Sequence, residues 1–112
     1  MRDEDRVRIR HMVDAIECVG LFLDGRARGD LDMDRMLLFA VLRAVEVLGE
    51  AAGRISEETR MNHPDIPWIA ATSMRNRLIH GYFDVNTEIV WKTATSELPA
   101  LLPRLRVLLE KE

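Results

Sequence analysis

Residues 75 to 84 read Arg75-Asn76-Arg77-Leu78-Ile79-His80-Gly81-Tyr82-Phe83-Asp84, the densest polar stretch of the chain. His80 is the side chain here whose ordinary pKa allows proton transfer near neutral pH. Arg75 or Arg77 can hold a phosphate and offset charge that builds up in a transition state. The same residue types also suit a plain helix end. Arginines and a histidine stabilise the negative pole of a helix, and Gly81 can terminate it. On an ideal helix Asn76 and Arg77 share a face with His80, whereas Arg75 points about 140° away. Arg75 and His80 converge only if the helix ends or bends near Gly81, or if a second subunit brings its own copies close.

The elements that must position this cluster read as helices. Ile9, Met12, Ile16, Val19 and Leu23 recur at spacings of three and four, which predicts a helix from about Asp5 to Leu23. Gly25 and Gly29 mark a loop. A second helix opens near Asp32 or Asp34, either of which can cap it, and runs to about Ile55. Leu38, Val41, Leu42, Val45, Leu48, Ala52 and Ile55 form its expected core face. Leu37, Phe39, Ala40, Ala44, Val47 and Ala51 add a second apolar surface. Arg43, Glu46, Glu50 and Arg54 stay on one narrow polar arc, which is either an exposed charged face or, at Glu50 or Arg43, the border of a cleft. A helix this apolar is covered on most sides, and a second subunit is the simplest cover for the extra face.

Ser56 to Pro67 reads as a loop, broken by His63-Pro64 and Ile66-Pro67. A third helix starts at Asp65 with Pro67 in its first turn and stops at Gly81. Asn86 and Glu88 open a fourth. Pro99 and Pro103 then act as breakers, leaving Leu101 to Leu109 as a short fifth helix or a kinked continuation. No stretch reads as a strand. The expected architecture is all-α: one domain over residues 1–112, an up-and-down bundle of four to five helices, associating as a homodimer.

Composition limits the function. Sixteen basic residues stand against nineteen acidic ones, a poor balance for a protein that coats nucleic acid nonspecifically. Cys18 is the one cysteine, so an internal disulfide framework and a cysteine-rich zinc site are excluded, and a reducing cytoplasm is the expected location. The longest apolar run, Met36 to Leu42, has seven residues and cannot span a bilayer. The charged start, Met1 to Arg6, lacks the apolar core of a signal peptide. His11, His63 and His80 lie in separate segments without paired metal-ligand spacing, so neither a metal nor another cofactor is expected. His11 reads as a surface residue, His63 as part of a turn and Cys18 as a small packed side chain. Trp68 and Trp91 read as packing anchors; with aromatics at 5%, an open base-stacking surface is not expected.

Arg75, four residues, His80, one residue, Tyr82 resembles the R-x4-H-x-Y motif of HepT-like toxins, ribonucleases of the HEPN superfamily. Glu46-Val47-Leu48-Gly49-Glu50-Ala51 resembles the family's E-x-x-G-E-A segment. Ile66-Pro67-Trp68 resembles its I-P-W start to the third helix, and Val90-Trp91 falls where the family has a V-W pair. The likeness runs in order over about residues 5 to 110, with no departure at a catalytic position; Pro103, in the last helix, is the oddest residue.

The resemblance implies roles residue by residue. Arg75 and His80 take the family's catalytic positions and Asn76 its polar residue after the arginine; Arg77, at an unspecified position of the motif, is a supporting cation on its charge alone. Tyr82 falls on the tyrosine that receives AMP from a partner, a minimal nucleotidyltransferase antitoxin of the MntA type. The implied substrate is RNA, tRNA above all, cut without a metal ion by a homodimer whose two motifs share a cleft. That chemistry suits the residues. His80 would take the proton of a 2′-hydroxyl, and Arg75 would steady the phosphorane. DNA, which lacks the 2′-hydroxyl, would be inert. The alternative is a catalytically silent helical dimer that serves a nucleotidyltransferase as partner or substrate, with Tyr82 as acceptor.

Overall fold

The computed structural model describes residues 1–81 and 84–111. Helix α1 spans Asp3–Leu23 and opens on Asp3, Glu4 and Asp5, acidic side chains that favour a helix N-terminus. Its predicted stripe of Ile9, Met12, Ile16, Val19 and Leu23 is buried throughout. Gly25, at φ +73°, turns the chain after it. A single turn, α2 (Asp30–Met33), precedes α3 (Arg35–Gly53). Asp34 caps α3, its carboxylate accepting the Leu37 N–H at 3.1 Å.

Helix α3 packs against α1 on one side and α5 on the other. Its buried face differs by a few positions from the expected one. Leu37, Ala44 and Ala51 are buried beside Val41, Val45, Leu48 and Ala52, whereas Leu38 and Leu42 are only half-buried; the helix ends at Gly53, short of the expected Ile55, which is buried just beyond it. Of the second apolar surface, Phe39 remains 61% exposed, flanked by Met36 at 83%.

The stretch 56–67 is not wholly loop, because it contains the short helix α4 (Glu57–Asn62). Ser56 caps it by accepting the Thr59 N–H. Six residues without an apolar repeat carry no periodic signal; a contact from α1 holds them instead. Asp5, 1% exposed, accepts the Ser56 N–H at 3.0 Å and the Ser56 and Thr59 hydroxyls at 2.5 and 2.7 Å. Burial alone would push the Asp5 carboxyl up, but these hydrogen bonds hold it below the ordinary value.

Helix α5 (Trp68–Leu78) starts later and ends earlier than expected. Pro67, not Asp65, occupies its N-cap position. The Trp68 indole donates to the His63 carbonyl at 3.0 Å and closes the preceding turn. After Leu78 the chain becomes extended. Ile79–His80 (β1) and Asp84–Val85 (β2) form a two-residue antiparallel ladder, which corrects the expectation of no strand. Gly81, at φ +81°, therefore opens the hairpin turn and does not terminate the helix.

Asn86 caps α6 (Thr87–Lys92) as expected, accepting the Glu88 and Ile89 N–H groups. The prolines beyond α6 do not break the chain. A π-helical turn over Thr93–Glu97 joins α6 directly to α7 (Leu98–Lys111), which contains Pro99 and Pro103. Such wide turns absorb irregular hydrogen bonding within a continuing helix. The all-α class stands, with the hairpin as its one sheet among the described residues.

Candidate active site

Gly49 is the point where α3 and α5 meet. A Cβ added there would lie 3.2 Å from the Thr72 carbonyl oxygen and 3.4 Å from that of Ala71, so only glycine allows this crossing without a shift. One turn further along each helix, in opposite sequence directions, stand Glu46 and Arg75. The close crossing brings them together: the Arg75 Nε lies 3.6 Å from Glu46 Oε2. The other Glu46 oxygen accepts from Arg43 Nη1 at 2.7 Å. Arg43 above all, with Arg75 adding to it, holds the Glu46 carboxyl below the ordinary range. Arg75 also donates from Nη1 to the Asn76 side-chain oxygen at 3.4 Å.

Arg75 and Asn76 open onto a cleft of about 540 Å³, lined also by Glu46, Gly49, Glu50, Gly53, Arg54 and Thr72. Both readings of the polar arc describe it: Arg43, Glu50 and Arg54 are exposed and Arg43 pairs with Glu46, while Glu46, Glu50 and Arg54 also line this cleft. Of the two residues expected at such a border, Glu50 lines the cleft and Arg43 does not. Glu46 and Thr72 are additions that sequence reasoning missed. The signal for Glu46 was its spacing of three from Gly49 on one helical face. Thr72 offered no such signal.

His80 lies outside the cleft lining. It is exposed on β1, opposite Asp84 of β2. Because α5 ends at Leu78, His80 does not share a helical face with Asn76 and Arg77; the helical geometry assumed for it is corrected. The early helix end supplies the break that convergence with Arg75 requires, though no contact between the two is made among the described residues. The ladder faces His80 with a carboxylate, since directly opposed residues of an antiparallel pair project to the same side. Tyr82, the expected AMP acceptor, lies outside the described residues.

Arg77 goes elsewhere. Its guanidinium donates to both oxygens of Glu97, at 3.2 and 2.9 Å. These hydrogen bonds raise the Arg77 pKa and lower that of Glu97. The π turn carries Glu97 to that position, and Arg77 borders a separate groove between α5 and α7. The cluster legible in sequence is thus divided: Arg75 and Asn76 face one cleft, and Arg77 faces away from it.

None of the other candidates lines the cleft. His11 is exposed in a shallow groove between α1 and α3. Cys18 is half-buried, Trp68 is buried and Trp91 half-buried. Among the described residues, no group of three or more His, Cys, Asp or Glu could hold a metal ion, and no helix is long and apolar enough to cross a membrane.

The chain that folds this way, with an arginine–asparagine pair at the end of α5 beside the charged arc of α3, matches a defined family in its sequence. The family model described as "Ribonuclease HepT-like" matches residues 12–108. The chain belongs to this HepT-like ribonuclease family. It is 35% identical over 101 residues to a protein of Thermococcus cleftensis named "Probable ribonuclease HepT", covering 90% of this chain and 92% of the other. It is 38% identical over 95 residues to "Putative RNase TTE0752" of Caldanaerobacter subterraneus subsp. tengcongensis, covering 81% and 85%. A third relative, "Gamma-glutamylcyclotransferase and putative RNase MJ0434" of Methanocaldococcus jannaschii, is 27% identical across 99% of this chain but only 50% of its own length. No solved structure matches.

Proposed function

We propose that this chain is a metal-independent endoribonuclease, the toxin of a toxin–antitoxin pair, acting on RNA and above all on tRNA. The observation that carries the reading is the position of Arg75 and Asn76 on an open cleft in a chain of ribonuclease lineage. An RNA phosphate enters the cleft and meets the Arg75 guanidinium, whose fork suits phosphate oxygens. His80 takes the proton of the neighbouring 2′-hydroxyl. The 2′-oxygen attacks phosphorus, the bond to the 5′-oxygen breaks, and that oxygen leaves with a proton from protonated His80, which serves as base and then as acid. Arg75 offsets the charge on the phosphorane. The products are a 2′,3′-cyclic phosphate and a 5′-hydroxyl.

His80 sits on a hairpin and Arg75 on a cleft; in this proposal a second copy supplies the facing set and completes the site, in a homodimer acting in the cytoplasm. The exposed Phe39 and Met36 on α3 support such an association. The whole span 1–112 acts as one domain. Tyr82 is the acceptor of AMP from a nucleotidyltransferase antitoxin of the MntA type. The added phosphate engages the cations that RNA needs, and the adenosine obstructs the cleft.

The test is cleavage of total tRNA by purified protein in EDTA. Wild type cuts and leaves cyclic phosphate ends. Arg75→Ala and His80→Ala each lose about 10²-fold or more, the scale of an acid–base or charge-stabilising group. His63→Ala keeps full activity. Equal loss in His63→Ala and His80→Ala refutes the proton-transfer assignment. Tyr82→Phe still cuts but takes up no AMP from the cognate nucleotidyltransferase; an AMP adduct on that variant places the acceptor elsewhere.

A further inference from the structure

We infer that Glu46 is a positioning residue of the ribonuclease site: it holds the Nε side of Arg75 so that the remaining guanidinium N–H groups face the cleft. The inference rests on the reading of Arg75 as the phosphate-binding cation. A carboxylate on the wall of a cleft that takes a polyanion is unfavourable for binding, so its presence calls for another role. The contacts supply one. Glu46 Oε2 faces Arg75 Nε at 3.6 Å, while Oε1 is held by Arg43 at 2.7 Å. Glu46 is therefore itself restrained on α3. The Asn76 oxygen takes Arg75 Nη1 from the other side.

Of the five guanidinium N–H groups, these two acceptors engage only the Nε and Nη1 sides, and Nη2 has no partner among the described residues. A guanidinium biased by an ion pair at 3.6 Å and a long hydrogen bond at 3.4 Å loses less freedom on meeting phosphate than one on a free four-bond stem. The crossing at Gly49 sets the distance between the two helices and hence the reach of Glu46. The Arg75 and Glu46 side chains are 45% and 36% exposed, so the pair adds little to fold stability. Removing it should disturb orientation without unfolding the chain.

Two opposing effects make the test sharp. Removing the Glu46 charge takes a repulsive group out of the cleft and lowers KM or leaves it unchanged. Loss of the Arg75 anchor lowers kcat, by about tenfold or more if the guanidinium wanders by an ångström. The experiment is steady-state cleavage of a tRNA substrate by wild type, Glu46→Ala and Glu46→Gln, with unfolding curves on each. Expected is a fall in kcat without a rise in KM for alanine, and partial recovery for glutamine, which keeps an acceptor for Nε. A lower KM with unchanged kcat would show Glu46 to be a repelling surface charge and would overturn the proposal. Wild type that fails to cut RNA refutes the ribonuclease reading in its own arm. The anchoring claim keeps a separate readout, the NMR signal of the Arg75 Nε–H, assigned by its loss in Arg75→Lys. In Glu46→Ala that signal should move into the group of solvent-exposed arginines; a signal that stays in place overturns the proposal.

Discussion

Three glycines on two helices offer a graded perturbation. Gly20 lies in α1 with nothing within 4 Å of an added Cβ. Gly20→Ala should therefore gain the helix-propensity difference, about 1 kcal/mol, which raises Tm by roughly 4 °C in a domain of this size. At Gly49 the same gain meets resistance. The added carbon would sit 3.2 and 3.4 Å from the Thr72 and Ala71 carbonyl oxygens. Those oxygens belong to the backbone of α5 and cannot rotate away, so α3 and α5 must part by a few tenths of an ångström. Overpacking of this kind costs about 1–3 kcal/mol. Set against the propensity gain, Gly49→Ala should fall between neutral and about 2 kcal/mol destabilised. Gly53 is the internal control one turn away. Its Cβ would meet only the Thr72 Cγ2 at 3.6 Å, an ordinary contact, so Gly53→Ala should be neutral or mildly stabilising. Urea unfolding measures all three, and tRNA cleavage is read on the same preparations. Separation of the helices pulls Glu46 from Arg75, so Gly49→Ala should lose cleavage beyond its loss of folded fraction, whereas Gly20→Ala should keep it. Gly49→Ala that gains as much stability as Gly20→Ala and cuts RNA at the wild-type rate refutes the close-crossing argument.

Asp5→Asn should destabilise by about 1–3 kcal/mol, because the amide keeps one acceptor oxygen and sets an NH2 donor where the second carboxylate oxygen accepts from Ser56 or Thr59. The Asp5 carboxyl is held below its ordinary value, so its contribution is full above about pH 4–5 and is lost as pH falls through the lower folded value; urea unfolding from pH 7 to pH 2 should show wild type and Asp5→Asn converging only in acid. Arg77→Ala should keep most cleavage activity, since Arg77 pairs with Glu97 on another face, and loss as deep as in Arg75→Ala would contradict that separation. Sedimentation equilibrium should show a dimer at micromolar concentration, weakened by Phe39→Ser with retained helical circular dichroism; a purely monomeric wild type would refute the shared-cleft reading.

The helical class and the main boundaries were legible because apolar spacing of three and four is a local property. Ile9 through Leu23 were buried as the stripe required, and Asp34 and Asn86 capped the helices placed after them. The family was equally legible, because Arg75, His80 and the Glu46–Ala51 segment occur in a recognisable order. What the sequence could not determine were features settled by contacts between distant segments. Helix α4 has no apolar repeat and exists beside the buried Asp5 carboxylate, 51 positions away from Ser56. The prolines after α6 looked like breaks, but a π turn let the helix continue and carried Glu97 to Arg77, 20 positions back. That pairing split two arginines only two residues apart. The end of α5 at Leu78 came from pairing of Ile79 with Val85, a ladder too short to show as alternation. Local periodicity decides which residues turn inward; only tertiary packing decides which polar side chains on the outward faces meet, and so which arginine stands over the cleft.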